Sequence, residues 1–286
     1  MNIPANEILR SQNIIPRCDF WFAITGTDGA YEIPHTARVI IKRSETQFDW
    51  MNEFDTSKLN PSSTVYCKFD YLEYLISYLN HRKCKTPFIL ITGQSDFPIT
   101  NHIFDAVRSK INVRWHGCNN QCDRAGGIPL GIADDFCTLT VKDNFEQTTS
   151  EKLLYVNHRV ETYPSERLLP YTIFKDKSWA TVETPMPKGN TDTYKKQLTS
   201  HKFIVCPRGN GIDTHRIWEA LYCGVIPIVK RNVVHKELEG NLPILFVDSY
   251  EQVDKSFLDT THDTFKTKIW NMDMLKVSWW LQKIKT

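Results

Sequence analysis

The stretch that decides the fold is "HKFIVCPRGNGIDTHRIWEALYCGVIPIV", which occupies residues 201–229. Two short apolar runs enclose a glycine-containing loop and a segment with helical spacing. Pro207 ends the first apolar run, Asp213 is a residue type that caps the start of helices, and Gly224 is one that ends them. The order strand, loop, helix, strand predicts one unit of a parallel α/β sheet.

The loop inside this unit has the composition of an anion-binding site. Gly209 and Gly211 allow a sharp turn and let a ligand approach the backbone closely. The N-terminus of the following helix favours negative charge, and the guanidinium groups of Arg208 and Arg216 suit a diphosphate. The alternative is a turn that is merely tight, with Arg216 and Glu219 forming a solvated pair on one helix face.

The bulk composition predicts a soluble globular protein of two domains. The chain has 286 residues, 41% of them hydrophobic and 24% charged, and this length exceeds that of one average core. The net charge of +2 is lower than a dedicated nucleic-acid binder would carry. No run approaches the ~18 apolar residues of a transmembrane span. Residues 1–20 lack a signal-peptide pattern, so a cytoplasmic location is expected.

The cysteine spacing argues against a metal site. The chain has eight cysteines, which are predicted to be reduced thiols of the core. Only Cys118 and Cys122 are close in sequence, and no histidine completes a zinc spacing.

Strand and helix patterns alternate twice along the chain, on either side of a polar segment at 144–152. The second series opens with the apolar strand "LLYVNHR" at 153–159, and a long amphipathic helix is predicted at 264–284. This alternation predicts two α/β domains with mainly parallel sheets. Ligands of such sheets bind beyond the carboxyl ends of the strands, so a cleft between the domains is the expected site.

The segment "CPRGNGIDTHRIWEALYCGVIPIV" at 206–229 resembles the donor-site signature of the exostosin-like glycosyltransferases. The motifs CPRG, Asp-x-x-Arg, EAL and G-x-IP follow one another in the family's order. Weaker similarity is seen in "LLYVNHR", "PSER", "LITGQSDFPI" and "GGIPLGI", so the resemblance spans residues 85–235. Residues 1–80 resemble no family that we can name.

The resemblance implies the GT-B architecture, in which two Rossmann-like domains face a central cleft. It implies an N-terminal acceptor-side domain at 1–147 and a C-terminal nucleotide-sugar-binding domain at 148–263. The helix at 264–286 is expected to cross back and pack on the N-terminal domain. The alternative for this helix is a membrane-surface position, since lysines flank its apolar stripe. Small members without an anchor suggest a microbial or viral origin.

The resemblance also implies the residues of a donor pocket. Arg208 and Arg216 would hold the diphosphate, and Glu219 would accept hydrogen bonds from the ribose hydroxyls. Arg159 is expected either to reach the same phosphates or to be a surface arginine, and Arg167 is expected to be a charge on a helix surface. The remaining donor-binding residues are Asn210, Gly211, Asp213 and Thr214.

Inverting transfer needs one general base, which is expected on a loop of the first domain. Asp96 is the preferred candidate, followed by Asp70 and then Glu73. The alternative for Asp96 is an Asx turn, and the alternative for Asp70 and Glu73 is reciprocal capping of a helix. Asp28 lies between glycines and is either a further candidate or only a turn residue.

Four other side chains follow or lie near strand ends. His116 and His158 are expected to be hydrogen-bonded polar residues or acceptor contacts rather than the base. Trp115 and Tyr31 are expected either to stack on sugar rings or to belong to the core.

These features predict an inverting glycosyltransferase that moves a sugar from a nucleotide-diphosphate sugar, with a UDP-sugar as the expected donor, to a carbohydrate hydroxyl. No two aspartates are separated by a single residue, so the Asp-x-Asp metal motif is absent. A metal-independent single displacement without a cofactor is therefore expected. The expected partners are the donor and a glycan acceptor, with peripheral membrane contact left open and nucleic acid excluded. The alternatives are an epimerase-like enzyme acting on nucleotide sugars and a non-catalytic exostosin-like domain that binds sugar or nucleotide.

Overall fold

The structure is a computed structural model that describes residues 3–25, 39–43, 48–50, 56–133, 136, 150–185 and 191–286. The chain divides into two compact units. The first unit consists of Leu9–Leu130 and Val277–Thr286, and the second unit consists of Met1–Ile8 and Gly131–Lys276. Residues 1–8 therefore group with the second unit, and this unit resumes at Gly131, earlier than the expected boundary at 147.

The first unit contains a seven-stranded sheet. Its strands lie in the order β3-β2-β1-β4-β5-β6-β7, and all neighbours are parallel except β2 and β3. The strands are β1 (Phe20–Thr25), β2 (Val39–Arg43), β3 (Phe48–Trp50), β4 (Thr64–Lys68), β5 (Phe88–Gly93), β6 (Val113–Gly117) and β7 (Gly126–Gly127). All six residues of β5 are buried, as expected for a central strand of a parallel sheet that is covered on both faces.

The second unit contains a five-stranded parallel sheet in the order β12-β11-β10-β8-β9. The strands are β8 (Lys152–Val156), β9 (Ala180–Val182), β10 (His201–Val205), β11 (Ile226–Lys230) and β12 (Leu245–Val247). The chain passes from β8 to β9 on one side of β8 and then crosses to β10 on the other side. The carboxyl ends of β8 and β10 therefore form the topological switch point, where ligands of open α/β sheets bind.

Helices pack against these sheets and complete two separate cores. The helices are α1 (Ser11–Ile14), α2 (Leu72–His81), α3 (Asn101–Arg108), α4 (Pro164–Phe174), α5 (Thr191–Thr199), α6 (His215–Tyr222), α7 (Lys255–Thr267) and α8 (Val277–Lys285). In the second unit Phe203 and Ile228 are fully buried in the core. The strand–loop–helix–strand unit predicted at 201–229 is confirmed as β10, α6 and β11.

The long helix predicted at 264–284 is wrong. The structure has α7, which begins earlier at Lys255, and a separate α8 that belongs to the first unit. Helix α7 ends at Thr267 because Lys268 is extended, and the indole Nε1 of Trp270 donates to the carbonyl oxygen of Phe265 at 3.1 Å. This bond satisfies one of the carbonyl groups that a helix leaves unpaired at its C-terminus.

Two further features concern the cysteines and the length of the helices. The seven cysteines in the part of the chain that the structure describes are all free, and six of them are buried. Among the described residues, no helix combines the length and the apolar character that crossing a membrane requires.

Candidate functional site

The loop between β10 and α6 is held in a compact turn by its own backbone. The amide of Gly209 donates to the carbonyl oxygen of Gly211 at 2.9 Å, and Nη2 of Arg208 donates to the carbonyl oxygen of Asn210 at 2.7 Å. A side chain at Gly209 would begin 3.1 Å from Nη2 of Arg167. Glycine at this position therefore lets the guanidinium group of Arg167 lie directly against the loop.

Arg167 is a buried residue that connects two loops at the switch point of the second unit. Its side chain projects from α4 and is only 7% exposed. Its Nε donates to the carbonyl oxygen of Arg208 at 2.7 Å, and its Nη1 donates to the carbonyl oxygen of Arg159 at 3.0 Å. One side chain thus fixes the loops that follow β8 and β10, and the expectation that Arg167 is a surface charge is wrong.

The charge of Arg167 is close to a second guanidinium group. Burial, with a smaller contribution from the positive charge of Arg216, lowers the pKa of Arg167 to about 10. Arg216 lies on the first turn of α6, and its buried Nε has no hydrogen-bond partner among the described residues. A bound anion would relieve the repulsion between the two cations and supply the missing acceptor.

Arg208 is a half-buried cation of the loop. Its guanidinium carbon lies 4.3 Å from the centroid of the Tyr163 ring, which is a cation–π distance. Its hydrogen bonds to the carbonyl oxygens of Gly209 and Asn210 keep the side chain folded over the loop. Arg159 is exposed, and its backbone carbonyl oxygen accepts the hydrogen bond from Nη1 of Arg167.

The start of α6 differs from the expectation. The N-cap is Thr214 and not Asp213, and the side chain of Thr214 makes no capping hydrogen bond. The hydroxyl oxygen of Thr214 is buried and has no partner in the described part of the chain. Asp213 is buried and does not cap the helix. Its Oδ1 accepts from Nε1 of Trp218 at 2.9 Å and lies 3.2 Å from Nε2 of His235.

Glu219, the expected ribose ligand, lies in the interior of the second unit. Its Oε2 accepts from the hydroxyl of Tyr194 at 3.1 Å, and the backbone of Ala133 bonds to the same carboxyl group. Burial raises the pKa of Glu219, while the charges of His215 and Arg216 oppose this rise. The alternative of a solvated surface pair between Arg216 and Glu219 is therefore wrong, because Glu219 is only 7% exposed.

His158 follows β8 and is buried beside the same arginines. Its Nε2 donates to the carbonyl oxygen of Arg167 at 2.9 Å, and its buried Nδ1 has no partner among the described residues. Burial lowers the pKa of His158 to about 4, and the charges of Arg216 and Arg167 also lower it. The imidazole is therefore neutral at physiological pH.

Two of the three candidate bases lie at neighbouring strand ends in the first unit. Asp70 follows β4 and Asp96 follows β5, and both are exposed. The rings of the adjacent Phe69 and Phe97 are 5.8 Å apart, which brings the two loops together. In this loop the amide of Phe97 donates to the hydroxyl of Ser95. The alternative of a turn made by the Asp96 side chain therefore does not involve this amide.

Glu73 is engaged elsewhere. Its carboxylate forms an ion pair with Lys110, with 3.0 Å between Oε2 and Nζ. The N-cap of α2 is Tyr71 and carries no side-chain capping bond, so the reciprocal cap between Asp70 and Glu73 is wrong. Asp28 lies outside the described residues, as does Tyr31.

The remaining aromatic and histidine candidates of the first unit are the buried Trp115 and the half-buried His116. Trp115 is 1% exposed, and its Nε1 donates to the hydroxyl of Thr92 at 2.9 Å, so it is a core residue. His116 lies against Gly126, and burial lowers its pKa to about 4. Within the described ranges, no three His, Cys, Asp or Glu side chains cluster as ligands for a metal ion.

Sequence reasoning missed Arg167, although the chain carries a signal for it. Arg167, Pro170 and Phe174 are the buried residues of α4, and their spacing of three and four places them on one helix face. A charged residue on the apolar stripe of a helix is seldom buried without a partner. The stripe therefore marks Arg167 as a side chain that must find acceptors inside the protein.

Comparison with known proteins does not identify a family for this chain. No family model matches the chain, and no curated protein matches it. Among solved structures, a trehalose-phosphate synthase described as UDP-forming, from Burkholderia vietnamiensis, is similar at 9% identity with a TM-score of 0.43. The match covers 80% of this chain and 74% of that protein. A likeness this distant carries no argument about fold or activity.

Proposed function

We propose that this protein is a glycosyltransferase that takes its sugar from a nucleotide-diphosphate sugar. The observation that carries the proposal is the convergence of Arg167, Arg208 and Arg216 at the switch point between β8 and β10. Arg216 offers a buried Nε without a partner among the described residues, and α6 begins without a side-chain cap from Thr214. These groups together suit a ligand with two adjacent phosphates.

The arginines have a chemical task in such a reaction. When the bond between the anomeric carbon and the diphosphate oxygen breaks, the electron pair leaves with the nucleoside diphosphate. Arg208 and Arg216 would stabilise this growing negative charge, since fixed cations aimed at a leaving group are worth several kcal/mol. Arg167 would act indirectly, because its hydrogen bonds to the carbonyl oxygens of Arg159 and Arg208 hold the two loops in place.

The proposal assigns proton transfer to the first unit, in the GT-B arrangement of two Rossmann-like domains that the exostosin-like resemblance implies. The acceptor hydroxyl attacks the anomeric carbon while a carboxylate takes its proton, so one displacement inverts the configuration. Asp96 remains the preferred base and Asp70 the second, since both follow parallel strands and are exposed. Glu73 ranks last because Lys110 occupies its carboxylate.

The donor is proposed to be a UDP-sugar, bound without a metal ion. Glu219 is proposed to face the ribose, in competition with its present contacts to Tyr194 and Ala133. Asn210, Gly211 and Thr214 would line the diphosphate in the loop and at the helix start.

The test is calorimetric titration of the intact chain with UDP and a panel of UDP-sugars, with and without EDTA. We expect binding that survives EDTA, is lost in Arg216→Ala and is weakened in Arg208→Ala. Arg82→Ala is the matched control, because Arg82 also stacks on a tyrosine, with 5.6 Å between its guanidinium carbon and the ring centroid of Tyr78. Absence of binding to any nucleotide diphosphate would refute the proposal.

Turnover separates the proposed enzyme from a binding domain. Release of UDP from the tightest-binding donor is measured with a panel of glycan acceptors, for the intact chain and for Asp96→Asn and Asp70→Asn. We expect the base variant to bind UDP normally and to lose turnover. Binding without any acceptor-dependent release would favour the non-catalytic alternative.

A further inference from the structure

The position of Asp213 poses a problem that the donor site alone does not explain. Asp213 immediately precedes Thr214, the N-cap of α6. Aspartate side chains at such positions commonly bond to the backbone amide two residues on, which here is the amide of His215. Instead, Asp213 is buried with 4% exposure, and its Oδ1 accepts from Nε1 of Trp218 at 2.9 Å.

His235 is the second group that holds this carboxylate, and its protonation state follows from its neighbours. Nδ2 of Asn232 donates to the carbonyl oxygen of Lys230 at 2.9 Å, and Oδ1 of Asn232 accepts from the amide of His235 at 3.1 Å. These two bonds fix the orientation of the Asn232 amide group. Its Nδ2 also lies 3.0 Å from Nδ1 of His235, so Nδ1 must be the acceptor.

The proton of the neutral imidazole is therefore on Nε2 and is directed at Asp213. The distance between Nε2 of His235 and Oδ1 of Asp213 is 3.2 Å, and both side chains are almost fully buried. The loop after β11 thus reaches the residue that precedes α6 and restrains its side chain. Trp218 restrains the same oxygen from within α6.

A restrained carboxylate matters because it carries the same charge as a phosphate. A free carboxylate beside the N-terminus of α6 would bond to the same amide groups and favour the same end of the helix dipole. It would also pair with the cation of Arg216, which the ligand needs. A carboxylate in that place would compete with the diphosphate for its site.

We propose that His235, with Trp218, is a positioning residue that holds the Asp213 carboxylate away from the start of α6 and so keeps this helix end open for the diphosphate. The inference rests on the proposed function of this site. It adds that His235 prevents the Asp213 carboxylate from competing with the diphosphate. His235 does not touch the ligand in this arrangement and acts through Asp213.

The experiment measures the affinity for inorganic pyrophosphate and for UDP at low ionic strength. Trp218→Phe keeps an aromatic ring, although a smaller one, and removes the indole hydrogen bond to Asp213, whereas His235→Leu removes the imidazole contact. We expect pyrophosphate and UDP binding to weaken by about threefold to thirtyfold in each variant, the range that a charge at a helix end produces. Trp179→Phe, on the β9 side of the same unit, is the control and should bind normally.

The decisive arm is a second substitution. Adding Asp213→Ala to His235→Leu removes the released carboxylate, and we expect affinity to recover to within about threefold of the unaltered chain. A merely structural role of His235 gives the opposite result, because the double variant would then bind no better than the single one. Thermal unfolding followed by circular dichroism shows that each variant is folded, and Trp218→Phe tests the same idea if His235→Leu is not.

The outcomes separate the two proposals. Normal binding by Trp218→Phe and His235→Leu, or failure of Asp213→Ala to restore binding, overturns the role of His235 and leaves the diphosphate site intact. Absence of pyrophosphate and UDP binding in the unaltered chain overturns both.

Discussion

Nε of Arg167 donates to the carbonyl oxygen of Arg208 at 2.7 Å, so a buried cation on α4 determines the path of the loop that carries the half-buried cation of Arg208. The same guanidinium group reaches the carbonyl oxygen of Arg159 through Nη1. The two loops at the switch point are thus joined by one side chain, and the second unit depends on Arg167 for the shape of its candidate site.

Loss of Arg167 is expected to affect both stability and binding. Arg167→Ala leaves two partly buried carbonyl oxygens without their donors, which we expect to lower the free energy of unfolding by about 2–4 kcal/mol. Arg167→Lys should recover only part of this loss, because one ammonium group cannot reproduce the planar fork that spans two carbonyls. Denaturant titrations of both variants check the prediction, with exposed Arg82→Ala as the control, and equal stability of all three would contradict it.

Gly209 is expected to matter for binding more than for stability. A methyl group there would lie 3.1 Å from Nη2 of Arg167 and displace the guanidinium group by a few tenths of an ångström. We expect Gly209→Ala to weaken pyrophosphate binding by about threefold to tenfold and to change the free energy of unfolding by less than about 1 kcal/mol.

The matched glycine is Gly127, around which a new methyl group would meet no atom within 4 Å. Gly127→Ala should bind pyrophosphate like the unaltered chain. Both affinities are measured by calorimetry, and equal binding by the two alanine variants would show that Gly209 needs no space beside Arg167.

The stability of the protein should fall in mild acid. Burial, aided by Arg216 and Arg167, lowers the pKa of His158 from 6.5 to about 4. Between these two values the unfolded chain binds a proton that the folded chain does not, so protonation favours unfolding as the pH falls from 6.5 to 4. Each such histidine contributes a slope of about 1.4 kcal/mol per pH unit in that window.

His116 and His262 have their pKa lowered to about 4 in the same way, and burial is again the main cause. Denaturant titrations at several pH values should therefore show a steep loss below pH 6.5. In His158→Gln the slope should be shallower, since one of these groups is removed. A slope identical to that of the unaltered chain would contradict the assignment of a neutral buried imidazole to His158.

Helix α7 should depend on its N-cap. Asp254 accepts from the amide of Phe257 at 2.8 Å, so Asp254→Ala is expected to cost about 1 kcal/mol of unfolding free energy. Asp263→Ala is the control, because this exposed residue lies in the same helix away from its start. Thermal unfolding of the two variants distinguishes them, and a cost for Asp263→Ala as large as for Asp254→Ala would argue against the cap.

The sequence predicts those features that depend on neighbours along the chain. The strands β10 and β11 and the helix α6 follow from apolar runs, Pro207 and Gly224, all of which act locally. The compact glycine-containing loop between β10 and α6 follows from the same local signals. Because these local signals agree with one another, the alternation of strands and helices is predicted correctly through most of the chain.

Features that depend on distant contacts are not visible in the same way. Asp213 has the residue type of a helix cap, but a histidine 22 positions further along the chain competes for its carboxylate. Glu219 is spaced to pair with Arg216 on a helix surface, yet Tyr194 and Ala133 cover it. Local spacing identifies the charged groups, whereas tertiary contacts decide which of them face a ligand.

Both units are made of two separate chain segments, and this has a consequence for synthesis on the ribosome. The first unit needs Val277–Thr286, which contain α8, and the second contains Met1–Ile8, with an antiparallel bridge between Ile8 and Lys276. A vectorial order in which one finished domain follows another is therefore not open to this chain. Neither unit is complete until Lys276 and the residues of α8 have left the exit tunnel, and a fragment cut between Leu130 and Gly131 would deprive each half of a piece of its own fold.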